Sequence, residues 1–454
     1  MNRPALTVLW FSLLAPHALA QEPSTEDLQK KVAALQEEVA HLKGTGSDSG
    51  GLKELERRID LLAAELEKSR TGGATDVEAP ARGEPGLGPA ASKVYHRARG
   101  VSVGGYGEAT YQKFASSDQD GVPSDLDDRL DLLRLVLYTG YKFSDTMLFN
   151  SEVEFEHATT GEGAEERGEV SVEQAYLDVR PWKSVGFRTG MVVVPLGFIN
   201  ELHEPPIFLG SRRPAVEQRI IPTTWHEVGL GLFGESSVFH WRGYAIAGLN
   251  AAGFTAEGIK EARQQGSQSL ANDIALVGRL DLVRIPGLLL GASVFTGNSG
   301  QGAASDGQKI RGRVTLFDAH AQYEYRGLQA RVLYVRSSIA DVPLINAANG
   351  FHGAESVGSR QHGVYAEAGY DLLLRRKGAG QWAVIPFFRH ERLNPQDRVP
   401  AGFEKDPRLD QKIWTAGVSV KPLTGVAFKA DYQWLRNKAR TGTNQLNLAM
   451  GFLF

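Results

Sequence analysis

Three arginines, Arg212, Arg213 and Arg219, stand close together beside His203, Glu201, Glu204 and Glu217. A guanidinium presents a rigid fork of donors that suits phosphate or carboxylate, so this stretch has the means to hold an anion. The same arginines can instead pair with the neighbouring glutamates and anchor the segment, and both readings stay open. The surrounding residues 196–224 are too apolar for a loop in water, since Ile199, Leu202, Ile207, Phe208, Leu209, Ile220 and Ile221 need burial. Leaving them exposed costs about 25 cal/mol per Å² of apolar surface, so the loop is expected to fold inward. Arg212, Arg213, Arg219, His203, Glu201 and Glu204 would then sit where that interior is narrowest.

Other motifs carry less. Gly229-Leu-Gly-Leu-Phe-Gly234 fits the dinucleotide pattern GxGxxG, but it lies inside an alternating run and not between a strand and a helix. His203-Glu204 and His226-Glu227 lack the spaced second histidine of a zinc protease. With no cysteine, a soft-metal site is not expected, and neither a cofactor nor a metal is assigned. A net charge of -3 implies no nucleic-acid partner.

The elements that must position these residues are strands. From Val101 onward, segments of roughly ten to fourteen residues alternate in polarity, separated in turn by tight turns and long polar loops. In 147–156, Phe149, Val153 and Phe155 oppose Asn150, Glu152, Glu154 and Glu156; in 426–435, Phe428, Ala430, Tyr432 and Trp434 oppose Lys429, Asp431 and Gln433. The final stretch sets Leu446, Leu448, Met450, Phe452 and Phe454 against Gln445, Asn447, Ala449 and Gly451. A strand with one side for lipid and one for water satisfies its backbone only in a closed barrel. The expected fold class is therefore all-β, a sixteen-stranded antiparallel transmembrane β-barrel over 100–454. Mean hydropathy of -0.25 fits, because every second strand residue faces water. The inward side carries Arg134, Arg188, Arg279, Arg331, Arg389 and Lys429 among a slight excess of carboxylates, and cross-strand pairing is the favoured role of any single one.

Ahead of the barrel, 1–20 reads as a secretory signal peptide, with Arg3, an apolar run and Ala18-Leu19-Ala20. Residues 21–69 carry heptad stepping, as in Leu28, Val32, Leu35, Val39 and Leu42, and are expected to form a periplasmic coiled coil. Residues 70–99, rich in Gly, Pro, Ala and Ser without periodicity, read as a flexible linker.

Glu173-Gln-Ala-Tyr-Leu-Asp178, Gly190-Met-Val-Val-Val-Pro195-Leu-Gly, Asn200-Glu-Leu-His-Glu-Pro-Pro206 and Ile221-Pro-Thr-Thr-Trp225-His-Glu-Val-Gly resemble the outer-membrane porins of the phosphate-selective porin O and P family. The resemblance runs over most of residues 100–454. It implies a homotrimer in outer-membrane lipid, a third loop that narrows the lumen, and passive diffusion of small hydrophilic solutes, including anions such as phosphate or carboxylates. It also implies no enzyme. A structural or adhesive coiled-coil protein and a membrane-embedded hydrolase are the alternatives.

Overall fold

The computed structural model describes residues 83–159, 168–182, 184–374 and 380–454. The signal-peptide and coiled-coil expectations, over 1–20 and 21–69, lie outside the described residues.

Nine strands come first: β1 (Gly100–Phe114), β2 (Arg129–Ser144), β3 (Met147–Glu156), β4 (Val170–Trp182), β5 (Val185–Val193), β6 (His226–Glu235), β7 (Phe239–Ala247), β8 (Ile274–Leu282) and β9 (Leu288–Gly297). A two-stranded hairpin, β10 (Ala304–Ser305) with β11 (Gln308–Lys309), decorates the next loop. The wall resumes with β12 (Val314–Tyr325), β13 (Leu328–Ile339), β14 (Arg360–Tyr370), β15 (Ala383–Arg398), β16 (Gln411–Leu423), β17 (Val426–Asn437) and β18 (Gln445–Leu453). Every strand but the small hairpin joins one closed antiparallel barrel of sixteen, in which β9 pairs with β12 and β18 returns to β1. At the seam Gly105 and Phe454 exchange backbone hydrogen bonds of 3.0 and 2.9 Å.

The alternation predicts the two faces. On β18 Leu446, Leu448 and Met450 are exposed outward while Gln445, Asn447 and Ala449 are buried inward. Beside the short turns the outer surface carries Phe143, Trp182, Phe239, Tyr325, Tyr370, Trp382 and Phe454, the aromatic belt expected at a membrane interface. No helix among the described residues is long and apolar enough to cross a membrane. The GxGxxG pattern lies wholly within β6, where a Cβ at Gly231 would stand 2.0 Å from the Gly243 carbonyl oxygen. Close strand packing explains these glycines.

Two segments occupy the interior. Residues 83–97, expected as the end of a linker, pack instead on the inner wall, with Leu87, Ala90, Ala91 and Val94 buried. Small side chains allow the close approach; a Cβ on Gly140 of β2 would lie 2.7 Å from Val94. Wall groups also satisfy the segment's backbone: Asn150 donates to the Ala91 carbonyl at 3.0 Å and Lys142 to that of Tyr95 at 2.8 Å. Such pairing is what a buried irregular chain requires.

The second insert is the loop between β5 and β6, which includes a single turn α1 (Val216–Arg219). Leu196, Phe198, Ile199, Phe208, Val216, Ile220 and Ile221 are buried in one apolar cluster with Tyr176, Tyr244, Phe295, Leu333 and Tyr365 of the wall. Neighbouring loops add Phe254, Ile259 and Ile310, and the helix α2 (Val342–Asn349) adds Val342 and Ile345. An apolar core thus fills part of the lumen, as the loop's composition requires.

Candidate functional site

The acidic groups of the luminal loop are all engaged. Glu201 faces Arg242 at 2.7 Å and Arg279 at 3.4 Å. Glu204 accepts from the amides of Ala90 and Ala91 at 2.9 and 3.0 Å, which ties the loop to the segment before β1. Glu217 takes the amides of Phe198 and Ile199 at 2.6 and 2.8 Å and the hydroxyl of Tyr365 at 2.6 Å. Burial raises the Glu217 carboxyl above its ordinary value and pushes Glu204 up to about 7. His203 places Nδ1 3.0 Å from the Asn200 carbonyl oxygen and Nε2 3.0 Å from Glu152.

The arginines are left over. Arg219 donates to Gln411 at 3.0 Å, and Arg213 donates to Thr223 at 2.8 Å and to the His203 carbonyl at 3.4 Å. Among the described residues Arg212 is held only through its backbone, whose carbonyl accepts from Arg389 at 3.2 Å. Burial and then the charge of Arg219 lower the Arg212 guanidinium from its ordinary value. None of the three makes an ion pair with a carboxylate among the described residues. Of the two sequence readings, pairing with the loop's own glutamates is not what this geometry contains.

The cations assigned to the wall do face the lumen, and all of them hold something there. Arg134 lies between Glu108 and Glu154, at 3.3 Å from each. Arg188 grips Asp178 with two bonds of 2.7 and 2.8 Å and also reaches the Tyr95 hydroxyl. Arg279 pairs with Asp281 and donates to the Gly197 carbonyl; Arg331 donates to that of Ile207 at 3.0 Å. Arg389 pairs with Glu367 and Glu391 at 3.2 and 2.9 Å. Lys429 donates to the carbonyls of Pro205 and Gly210 at 2.6 and 3.0 Å and stands 3.7 Å from the centre of the Phe208 ring. Arg279, Arg331, Arg389 and Lys429 fasten the loop to strands around the wall, while Arg134 and Arg188 pair within the wall and with Tyr95, which leaves all six few donors for a solute.

Two cavities border the loop from different sides and share no lining residue among the described ones. Toward the short turns lies one of about 680 Å³, reached by Glu201, Leu202, Pro206 and Ile207 and by residues 83–87. Its carboxylates Glu84, Glu201, Glu235, Asp281 and Glu324 outnumber Arg242, Arg279 and Lys421 by five to three. Toward the long loops lies one of about 280 Å³, reached by Ser211, Arg212, Arg213, Gln218 and Thr223. Here Arg129, Arg134, Arg212 and Arg213 outnumber Glu108 and Asp131 by four to two, with His157 alongside. Arg219 is absent from both linings. Sequence reasoning missed Arg129, which opens β2 at the edge of a polar loop, and His157, which follows β3; no spacing links either to the loop arginines.

No protein-family model matches the chain. A protein of Aquifex aeolicus (strain VF5), described as an uncharacterized protein, is 38% identical over 355 residues, spanning 76% of this chain and 78% of that one. The chain belongs to the family of that protein. Among solved structures, OmpF of Salmonella typhi in complex with daunomycin matches with a TM-score of 0.50 at 11% identity, over 79% of this chain and 98% of that one. The outer membrane channel DcaP of Acinetobacter baumannii matches with a TM-score of 0.46 at 9% identity, over 78% and 97%. The likeness to OmpF shows that this chain's barrel has a porin fold.

Proposed function

We propose that the chain is an outer-membrane porin, a passive diffusion channel for small hydrophilic solutes whose long-loop mouth favours anions such as phosphate or carboxylates. The observation that carries the anion reading is Arg212, a guanidinium bordering the outer cavity without a carboxylate partner among the described residues. In a confined mouth lined by low-dielectric protein, such a charge attracts anions more strongly than it would in bulk water. Arg213 and Arg129 reinforce it from the same cavity. The porin fold supports the channel reading, and the loop packed across the lumen supports a narrow, selective one.

The similarity of the 173–178, 190–197, 200–206 and 221–229 stretches to the porin O and P family supports a homotrimer, with residues 21–69 as a periplasmic coiled coil. The test is reconstitution of the purified chain in planar bilayers under a salt gradient. The reading expects ion conductance, a reversal potential of anion-preferring sign, and partial block of chloride current by phosphate or a dicarboxylate. A folded trimer that conducts nothing refutes the channel, and a cation-preferring reversal potential refutes the anion mouth. Serine-dependent hydrolysis of lipid or peptide would favour the hydrolase instead.

A further inference from the structure

One buried cluster is absorbed neither by the anchoring of the loop nor by the anion mouth. Glu152 on β3, Glu173 on β4 and His203 on the loop are buried, and each offers a ligand atom within 4.8 Å of the others. His203 Nε2 lies 3.0 Å from Glu152 Oε1 and 3.9 Å from Glu173 Oε2. Ligands bound about 2.0–2.2 Å from a single ion lie up to about 4.4 Å apart, so both separations fit one ion.

Three independent features point to the same spot. The Glu152 Oε2 and Glu173 Oε2 atoms have no hydrogen-bond partner, although the two residues are 0% and 2% exposed. Buried carboxylate oxygens left this way are costly unless a cation or proton meets them. Second, His203 Nδ1 faces the Asn200 carbonyl at 3.0 Å, which requires the ring proton on Nδ1. This is the outer bond that aims the other nitrogen of a metal-bound histidine. Nε2 then meets Glu152 as acceptor against acceptor unless something positive lies between them.

Third, the backbone is bent to deliver Glu173. On β4 Gln174 pairs with Glu152 and Val172 with Val153, which leaves Glu173 as the extra residue of a β-bulge. Strict alternation would send Glu173 to the outer face, since Gln174 is buried inward; the bulge turns both residues inside.

We propose that Glu152, Glu173 and His203 bind one first-row divalent cation, which clamps the luminal loop onto β3 and β4. Two carboxylates and one imidazole suit a borderline ion such as Zn²⁺ or Mn²⁺ better than Ca²⁺, which takes oxygen ligands. The competing occupant is a proton, shared by Glu173 with the adjacent Glu154 or held by His203. The site is independent of which solute the channel carries.

The test uses the full chain, purified without a histidine tag, stripped with chelator and dialysed against Zn²⁺ alone. One ion per chain is expected by elemental analysis, together with a visible absorption band when Co²⁺ replaces Zn²⁺. Glu173→Gln, which mimics the protonated acid, should weaken binding at least tenfold while keeping the heat-modifiable migration of a folded barrel. His203→Gln should do the same. Chelator should raise the noise or conductance of the wild-type channel and leave Glu173→Gln channels unchanged. A folded wild-type chain that retains no stoichiometric ion would overturn the proposal, as would variants that bind Zn²⁺ like wild type. The wild-type measurements stand even if a variant fails to fold.

Discussion

The Glu204 carboxylate accepts the Ala90 amide at 2.9 Å, so the loop between β5 and β6 and the segment ahead of the first strand are held by one acidic side chain. Its Oε1 atom takes both this amide and that of Ala91, and Oε2 accepts the Ala90 amide as well at 3.2 Å.

Burial raises Glu204 from 4.5 to about 7, and the direction sets the pH dependence. A carboxyl that holds its proton more tightly when folded stabilises most below pH 4.5, and that contribution fades as pH rises through about 7. The span corresponds to roughly 3 kcal/mol at one pH unit per ~1.4 kcal/mol. Wild type should therefore lose thermal stability between pH 5 and 8 relative to Glu204→Gln, whose side chain does not titrate. Parallel melting profiles for the two proteins would remove Glu204 from this role.

Arg212 carries no ion pair among the described residues, so Arg212→Ala should cost little stability, within ~0.5 kcal/mol, and should shift the reversal potential toward cations. Arg213→Ala should shift it too, but at a cost of about 1–2 kcal/mol, because Thr223 and the His203 carbonyl lose their donor. Arg219→Ala should leave selectivity nearly unchanged, since Arg219 bonds to Gln411 away from both cavities. Bilayer recordings and chemical unfolding of the three variants separate these outcomes.

Lys429→Met keeps the length of the side chain and removes its donors. The carbonyls of Pro205 and Gly210 then lose a charged partner inside the barrel, a loss on the order of 1–3 kcal/mol. The expected phenotype is a looser loop, read as larger or noisier single-channel currents with little change of selectivity.

Deleting residues 83–92 should enlarge the short-turn cavity that residues 83–89 help to line, while leaving the seam between β1 and β18 intact. Conductance should rise, and the barrel should still migrate as a folded species. An unchanged conductance would mean that this segment does not limit flow.

The wall was legible because lipid on one side and water on the other impose a period of two, and Leu446, Leu448 and Met450 against Gln445, Asn447 and Ala449 display it without interruption. The inward course of the β5–β6 loop was legible for a related reason: Ile199, Phe208 and Ile220 are not stable in water. What could not be read was who pairs with whom. Arg212 and Glu201 look alike in a string, and only the fold sends Glu201 to Arg242 while giving Arg212 no carboxylate among the described residues. Residues 83–97 were read as linker because small residues without periodicity look the same whether free or packed against a wall. Glu173 was hidden more deeply, since the bulge at that position overrides the alternation by which its direction would be judged.

If the barrel conducts as proposed, the unlike charge of the two cavities makes it the protein counterpart of a diode. With cationic walls toward the long loops and anionic walls toward the short turns, a voltage positive on the short-turn side draws anions in through the cationic mouth and cations in through the anionic one. Both carriers would then accumulate between the two cavities, whereas the reverse voltage would deplete both. Current should rectify accordingly, and the asymmetry should fade in concentrated salt, where the screening length falls to about 3 Å at 1 M.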